Sequence, residues 1–434
     1  MSSRALLRAK SGQPEPLPLL RISDYKFDFV REPFRKPLGF KGSQFTEKWV
    51  AEVTLGGSNG AQATAYGGFS VLWADDRVFR NRSESGANAV MASVAEYGLQ
   101  CARRVQFATP LQLQDRILTD VHNYACEITR LPDLNPAFTL NALVALDHAA
   151  WLLFAQAHKL RRFDDFVSAG FSSSLPERHP VLGCIPLVSY KTGAEEIQRL
   201  AQDGHFLLKI SMGSPGGPDE MLHADKRRLA EIHDLVGRIE TPHTAKGKIL
   251  YYLDANGRYK GRDQIRELLK FVDQEAFLDR LALFEEPFGE FRKESVADFP
   301  VTFVGDESIR SVKDLAGMMA AGFRAVAIKP AGKGLSASLR MTREALRLGL
   351  TPLVSDSSCT PLMLDWNKNM AARLPTLPGM SMGLLEMNGQ LNFAHWDEML
   401  ARHPCGDKAW ARPQGGLFHL DRDFFTGGGG VGSE

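Results

Sequence analysis

The second half of the chain alternates short apolar runs with amphipathic stretches, and that alternation leaves few architectures open. Short buried strands separated by amphipathic helices are the pattern of βα units around a parallel sheet. Strand-like runs fall at Cys184–Tyr190, His205–Ser211, Ile249–Asp254, Leu281–Glu285, Val301–Val304, Ala325–Lys329, Thr351–Ser355 and Gly383–Glu386. Helical periodicity covers Pro218–Gly237, Gly261–Asp273, Ser311–Ala321, Leu335–Leu348 and Pro361–Arg373 between them. Eight strands without a sequence-level repeat suit a closed (β/α) barrel better than an open doubly wound sheet, although strand number alone leaves the open sheet available. No GxGxxG follows the first strands, so a dinucleotide site has no support.

The first half reads differently. Leu19–Val30 and Lys48–Leu55 are strand-like and are linked by turn-rich Gly56-Gly57-Ser58-Asn59-Gly60. From Ser83 to Leu160 the period becomes helical, and Ala137–Leu160 reads as one apolar helix, with Leu140, Leu143, Val144, Leu146 and Trp151 spaced for burial. Strands followed by helices predict a compact α+β module. The expected division is residues 1–180, 181–390 for the barrel, and 391–434 as a C-terminal segment. Residues 1–16 and the Gly-rich tail Gly427–Glu434 read as loose ends.

Charge decides against some classes of partner. With 52 basic and 51 acidic residues the formal net charge is +1, so neither a nucleic acid nor a membrane is expected as a partner. The five cysteines, Cys101, Cys126, Cys184, Cys359 and Cys405, show no CxxC spacing. A disulfide framework or zinc site is not expected, and a cytoplasmic location is. Residues 1–20 lack an apolar leader core and no window reads as a membrane span.

In a barrel, chemistry collects at the C-terminal ends of the strands. Here the second strand ends Lys209-Ile210-Ser211, the third Asp254-Ala255-Asn256-Gly257, and the fourth Glu285-Glu286-Pro287. The fifth runs into Asp306-Glu307-Ser308, and the sixth ends at Lys329. Singly each has an ordinary reading: a turn, a solvated strand exit, a helix cap, a snorkelling lysine. Together they bring three carboxylates to three successive strand mouths. Carboxylates forced together share protons or bind a cation, and an all-oxygen donor set favours a hard ion, Mg²⁺ first. Lys329 faces that site from the opposite strand, where a cation and desolvation are expected to lower its pKa into the range of a general base.

This series resembles the mandelate racemase and muconate lactonizing branch of the enolase superfamily, and Asp147-His148-Ala149-Ala150-Trp151 resembles the helix that precedes the barrel there. Lys329 together with Asp306-Glu307-Ser308 looks more like the muconate lactonizing subgroup. The resemblance implies a (β/α)7β TIM-like barrel with an α+β N-terminal capping domain, to which the C-terminal segment returns. It implies Asp254, Glu285 and Asp306 as ligands of Mg²⁺, with Mn²⁺ as an alternative. The metal would hold a small-molecule carboxylate substrate and stabilise the enediolate formed when its α-proton leaves. Lys329 would be the acid/base group and Glu307 would orient it. Segments 34–42 and 56–68 would close over the pocket, and the chain would form homo-oligomers.

One position departs from the pattern. The second strand of that branch carries Lys-x-Lys, whereas this chain has Lys209-Ile210-Ser211. Ser211 is no base near neutral pH without a helper, so a one-base lyase or cycloisomerase reaction using Lys329 fits better than a two-lysine racemisation. A racemase with an unassigned second base and a non-catalytic metal-binding relative are the alternatives. Lys209 is either a direct catalytic residue or a buried ion-pair lysine. Ser211, Asp356 and Glu386 are expected to line the substrate pocket, with Ser357, Ser358 and Asn388 nearby. Arg35, Lys36 and Lys41, beside Phe34 and Phe40, read as a solvated basic loop.

Overall fold

A computed structural model describes residues 18–40, 42–291 and 294–432. The expected loose N-terminus, residues 1–16, and Lys41 lie outside the described residues.

The first sheet is antiparallel. It comprises β1 (Leu20–Phe40), β2 (Ser43–Gly57), β3 (Gln62–Gly68) and the two-residue β4 (Gln106–Phe107), in the order β3-β2-β1-β4. Ala51, Val53 and Leu55 alternate inward along β2, which is the period-two signature of a sheet with one buried face. The segments expected as closing loops are therefore mostly hairpin arms. Residues 34–40 continue β1 past a register shift between Pro33 and Leu38, where Pro33 and Pro37 cannot donate to the ladder. Helices Glu84–Arg103 and Pro110–Thr129 cover this sheet; Ser83 caps the first through Gly86 N and Thr109 the second through Gln112 N.

The apolar stretch expected as one helix is two, Pro136–Ala142 and Val144–Ala157, bent by 52°. Asn135 caps the first. By length and composition the bent pair could span a membrane, but no single helix among the described residues is long and apolar enough to do so. Every residue from Val144 to Ala155 is buried inside the protein.

The second sheet forms the barrel. Its strands are β5 (Val181–Ile185), β6 (Leu187–Val188), β7 (Leu207–Ser211), β8 (Leu250–Asp254), β9 (Leu281–Glu285), β10 (Thr302–Gly305), β11 (Ala325–Ile328), β12 (Thr351–Val354), β13 (Gly383–Glu386) and β14 (Leu417–His419). The order is β14-β5-β13-β12-β11-β10-β9-β8-β7-β6. β5 and β6 are one strand interrupted at Pro186: β5 pairs with β13 and β6 with β7, both parallel, so the sheet closes on itself. Pro186 O accepts from Lys209 N at 3.0 Å and keeps the ladder continuous across the break. Closure removes the open-sheet alternative. A strand occurs at each of the eight expected places, and helices Pro218–Val236, Arg262–Gln274, Leu335–Arg347 and Pro361–Ala371 match their expected spans. Ser311 instead caps a 3₁₀ turn, Val312–Asp314, ahead of helix Leu315–Ala320.

After β13 the chain touches the first sheet, with Phe393 bridged to Phe34 and Ala394 N donating to Pro33 O at 3.0 Å. It then adds β14 antiparallel to β5. The Gly-rich tail is not loose over its described part. Asn369 Nδ2 donates to Gly428 O and Gly429 O at 3.1 and 3.0 Å, and Val431 is buried. Gly430, at φ +91°, lies so close to Asp365 that a Cβ would stand 1.7 Å from its Oδ2.

Candidate active site

Strand register assembles the mouth of the barrel. Ser211 is the Cα partner of Asp254, and Asp254 that of Glu285, so the ends of β7, β8 and β9 stand side by side. Asn256, Gly257 and Glu286 all have positive φ, at 47°, 73° and 40°, which turns the chain sharply out of each strand. The turn at Glu286 swings its carboxylate onto the next strand exit, where it accepts from Asp306 N at 2.8 Å and Ser308 N at 2.9 Å. Sequence reasoning assigned Glu286 no role; it anchors the loop that carries Asp306. Burial, then the Glu307 carboxylate, pushes the Glu286 carboxyl up to about 8.

Two lysines divide the carboxylates between them. Lys209 Nζ lies 3.1 Å from Asp254 Oδ2, 2.6 Å from Glu285 Oε2 and 3.1 Å from Glu386 Oε2. It is buried and ion-paired with all three. Burial works to lower its pKa, but Asp254, Glu285 and Glu386 outweigh that and hold it well above the usual lysine range. Lys329 Nζ lies 2.8 Å from Asp306 Oδ2 and donates to Ser355 Oγ at 3.0 Å. A fall in its pKa is expected beside a bound cation. Burial does act in that direction, yet the Asp306 carboxylate overrides it and holds the ammonium above the ordinary lysine value. Reciprocally, burial works to raise the Asp306 carboxyl, but Lys329 brings it down to about 2.

The residues expected to touch substrate are mostly engaged with one another. Glu386 Oε2 also accepts from Ser355 Oγ at 2.5 Å and Asp356 N at 3.2 Å, and its Oε1 from Asn388 Nδ2 at 2.8 Å. Asp356 accepts from Cys359 N at 3.1 Å and Asn388 N at 2.8 Å, which staples the exits of β12 and β13 together. Ser211 is half-buried at the end of β7. Ser355 joins Lys329 to Glu386, a bridge invisible in sequence because Ser355 looks like any polar strand exit.

The first sheet and its helices reach the mouth through residues the sequence did not single out. Lys48, on β2, donates to Ser70 Oγ at 2.9 Å and to Ser357 O. Trp73, on the short helix Val71–Ala74, lies 5.2 Å from Lys329 Nζ and 5.5 Å from Lys333 Nζ, ring centroid to nitrogen. Helix Val144–Ala157 ties the two sheets: Asp147 accepts from Ser336 N at 3.0 Å, Trp151 Nε1 donates to Ser336 Oγ at 3.0 Å, and His148 stacks on Trp366 at 4.1 Å.

The fit to a divalent cation can be judged from the donors. As they stand, no three His, Cys, Asp or Glu side chains among the described residues are grouped to hold an ion, and Lys209 sits among the carboxylates. The donor chemistry nevertheless suits a hard dication. Glu285 Oε1 and Asp306 Oδ1 are buried and accept no hydrogen bond. Four carboxyl groups, those of Asp254, Glu285, Asp306 and Glu386, share only two paired ammonium groups, those of Lys209 and Lys329. Burial pushes the Glu285 carboxyl well above its usual range, with Asp254 adding repulsion, the state of a carboxylate short of positive charge.

A closed barrel with a preceding antiparallel sheet and helices is the fold of solved mandelate racemase/muconate lactonizing proteins and other enolase superfamily members. The chain is similar to such a protein from Herpetosiphon aurantiacus (14% identity, TM-score 0.64, covering 92% of this chain and 96% of that one). It is similar to a mandelate racemase/muconate lactonizing enzyme from Roseiflexus sp. (16%, 0.64, 95% and 97%). It also resembles a dipeptide epimerase from Enterococcus faecalis complexed with Mg and the dipeptide L-Leu-L-Tyr (14%, 0.61, 86% and 92%). No protein-family model and no curated protein matches the chain.

Proposed function

We propose that this chain is an enzyme of the enolase superfamily that removes the proton α to a substrate carboxylate, with Lys329 as its acid/base group. The observation that carries this reading is the burial of Lys329 at one mouth with Asp254, Glu285 and Asp306. The solved dipeptide epimerase, which shares the fold, is described with Mg. Asp254, Glu285 and Asp306 are the residues that would hold Mg²⁺ or Mn²⁺, which supplies positive charge opposite the substrate carboxylate as the α-proton departs.

The chain's own groups divide the remaining work. Lys209 balances Asp254, Glu285 and Glu386. Ser355, with Glu307, sets the direction of the Lys329 ammonium, and Glu286 shapes the loop carrying Asp306. Ser211 offers a hydroxyl on the far side of the mouth, so removal and return of the proton both take place on the Lys329 face. That is the pattern of a one-base lyase or cycloisomerase. Trp73 and Lys48 close the mouth from residues 1–180, the proposed cap. The test is a library of carboxylic acids incubated with the full chain and Mg²⁺ in D₂O and read by mass spectrometry. At least one acid is expected to gain deuterium or lose a leaving group; a library that returns unchanged contradicts the reading.

A further inference from the structure

Lys48 is only 3% exposed, and its stem is confined: a Cβ on Gly68 would lie 3.0 Å from both its Cδ and Cε and 2.9 Å from Met363 Cε. The ammonium is therefore delivered in a fixed position. Its partners, Ser70 Oγ and Ser357 O, are both uncharged. The other two buried lysines of the mouth sit on carboxylates, whereas no ion pair among the described residues involves Lys48. An ammonium carries three donors, so one N–H is left over after these two bonds. Asp356 acts on this ammonium only from beyond ion-pair distance, and burying a cation without a directly paired carboxylate is costly, so an anion arriving with a ligand would stabilise it.

The surroundings say where that anion would sit. Ser357 stands two residues beyond Ser355, which bonds Lys329, so Lys48 enters on the Lys329 side of the mouth. Lys333, half-buried on the same side, ends on Ile309 O at 3.3 Å and shares the Trp73 ring with Lys329. Lys48, Lys329 and Lys333 thus gather on one side of the mouth, with Asp306 paired to Lys329 and Asp356 acting on Lys48, across from Asp254 and Glu285 on β8 and β9.

We propose that Lys48 binds the substrate, receiving a second carboxylate remote from the one beside which the proton is removed, so that the substrate is a dicarboxylate. The proposal rests on the reading of the mouth given above. It is tested by calorimetric titration of the full chain with Mg²⁺, using chain-matched probes: succinate against butyrate, glutarate against valerate, adipate against hexanoate. At least one diacid is expected to bind tenfold or more tightly than its monoacid. In Lys48→Met that preference should shrink below threefold while monoacid affinity stays within twofold. A preference that survives in Lys48→Met, a parallel loss for both probes, or no preference in the wild type overturns the proposal. Lys48→Gln is the second variant should Lys48→Met not fold; if neither folds, Lys48 is a structural residue and the proposal fails. Mg²⁺-dependent monoacid binding that disappears in Asp254→Ala reports on the metal end alone, so the two readings fail separately.

Discussion

Lys209 and Ser355 hold the charge balance of the mouth, and each supports a prediction. Lys209→Met leaves Asp254, Glu285 and Glu386 buried without their shared cation, a change that costs about 3–5 kcal/mol in buried ion pairs. Urea unfolding at neutral pH should show that loss; a stability within 1 kcal/mol of wild type, an approximate threshold against that range, would remove Lys209 from this role. Ser355→Ala strips a donor from Glu386 and an acceptor from Lys329, and is expected to cost about 1–3 kcal/mol. Turnover should fall as well, since the base loses its orientation. At this scale Asp254, Glu285, Asp306 and Lys329 were legible because each sits where a strand ends, which sequence locates well. Lys48 and Ser355 were not, since their meaning lies in a partner from another element. The expected fall in the pKa of Lys329 presupposes a bound cation; without one, Asp306, 2.8 Å away, outweighs burial and holds the ammonium above its ordinary value.

Among the elements, helix Val144–Ala157 is the joint between the two sheets, and it carries a titration. Burial lowers His148 from 6.5 to about 3, against the pull of its bonds to Tyr66 O and Pro330 O. A base depressed in the folded state gives up stability as pH falls below its unfolded value and keeps losing it until the folded value. That window is pH 6.5 down to about 3, and roughly 2 kcal/mol is lost by pH 5. Its neighbour works oppositely: burial raises Asp147 from 3.8 to about 6, so protonation there returns stability as pH falls through that interval. The two partly cancel in the wild type. His148→Phe keeps the ring on Trp366 and isolates the effect. The stability gap between wild type and variant should narrow by roughly 2 kcal/mol from pH 7 to pH 5, and a constant gap would refute the assignment.

The tail gives a second prediction at this scale. Gly430→Ala drives a methyl into Asp365 at a φ that L-residues rarely adopt, and should destabilise by about 2 kcal/mol or more in thermal or urea unfolding. The barrel strands were legible because parallel strands buried on both faces read as unbroken apolar runs. The break at Leu143 was not, since no Gly or Pro marks it. The packed glycine tail was not either, because glycines read as freedom until a neighbour such as Asp365 needs the space.

The molecule as a whole joins a closed barrel to an α+β unit, and residues of both meet at the mouth. Mg²⁺ bound only by the folded state should raise the melting temperature by mass action, and that rise should vanish in Asp254→Ala and Glu285→Ala. Equal rises in variants and wild type would move the metal elsewhere. Beyond binding, the central claim concerns one proton and one lysine. Both enantiomers of the acid found in the D₂O screen are to be incubated with Mg²⁺ and either wild type or Lys329→Ala, following α-deuterium in each. Wild type is predicted to act on a single enantiomer, and Lys329→Ala to be slower by about a thousandfold or more. Undiminished exchange in Lys329→Ala, or equal uptake from both enantiomers by the wild type, would contradict the account.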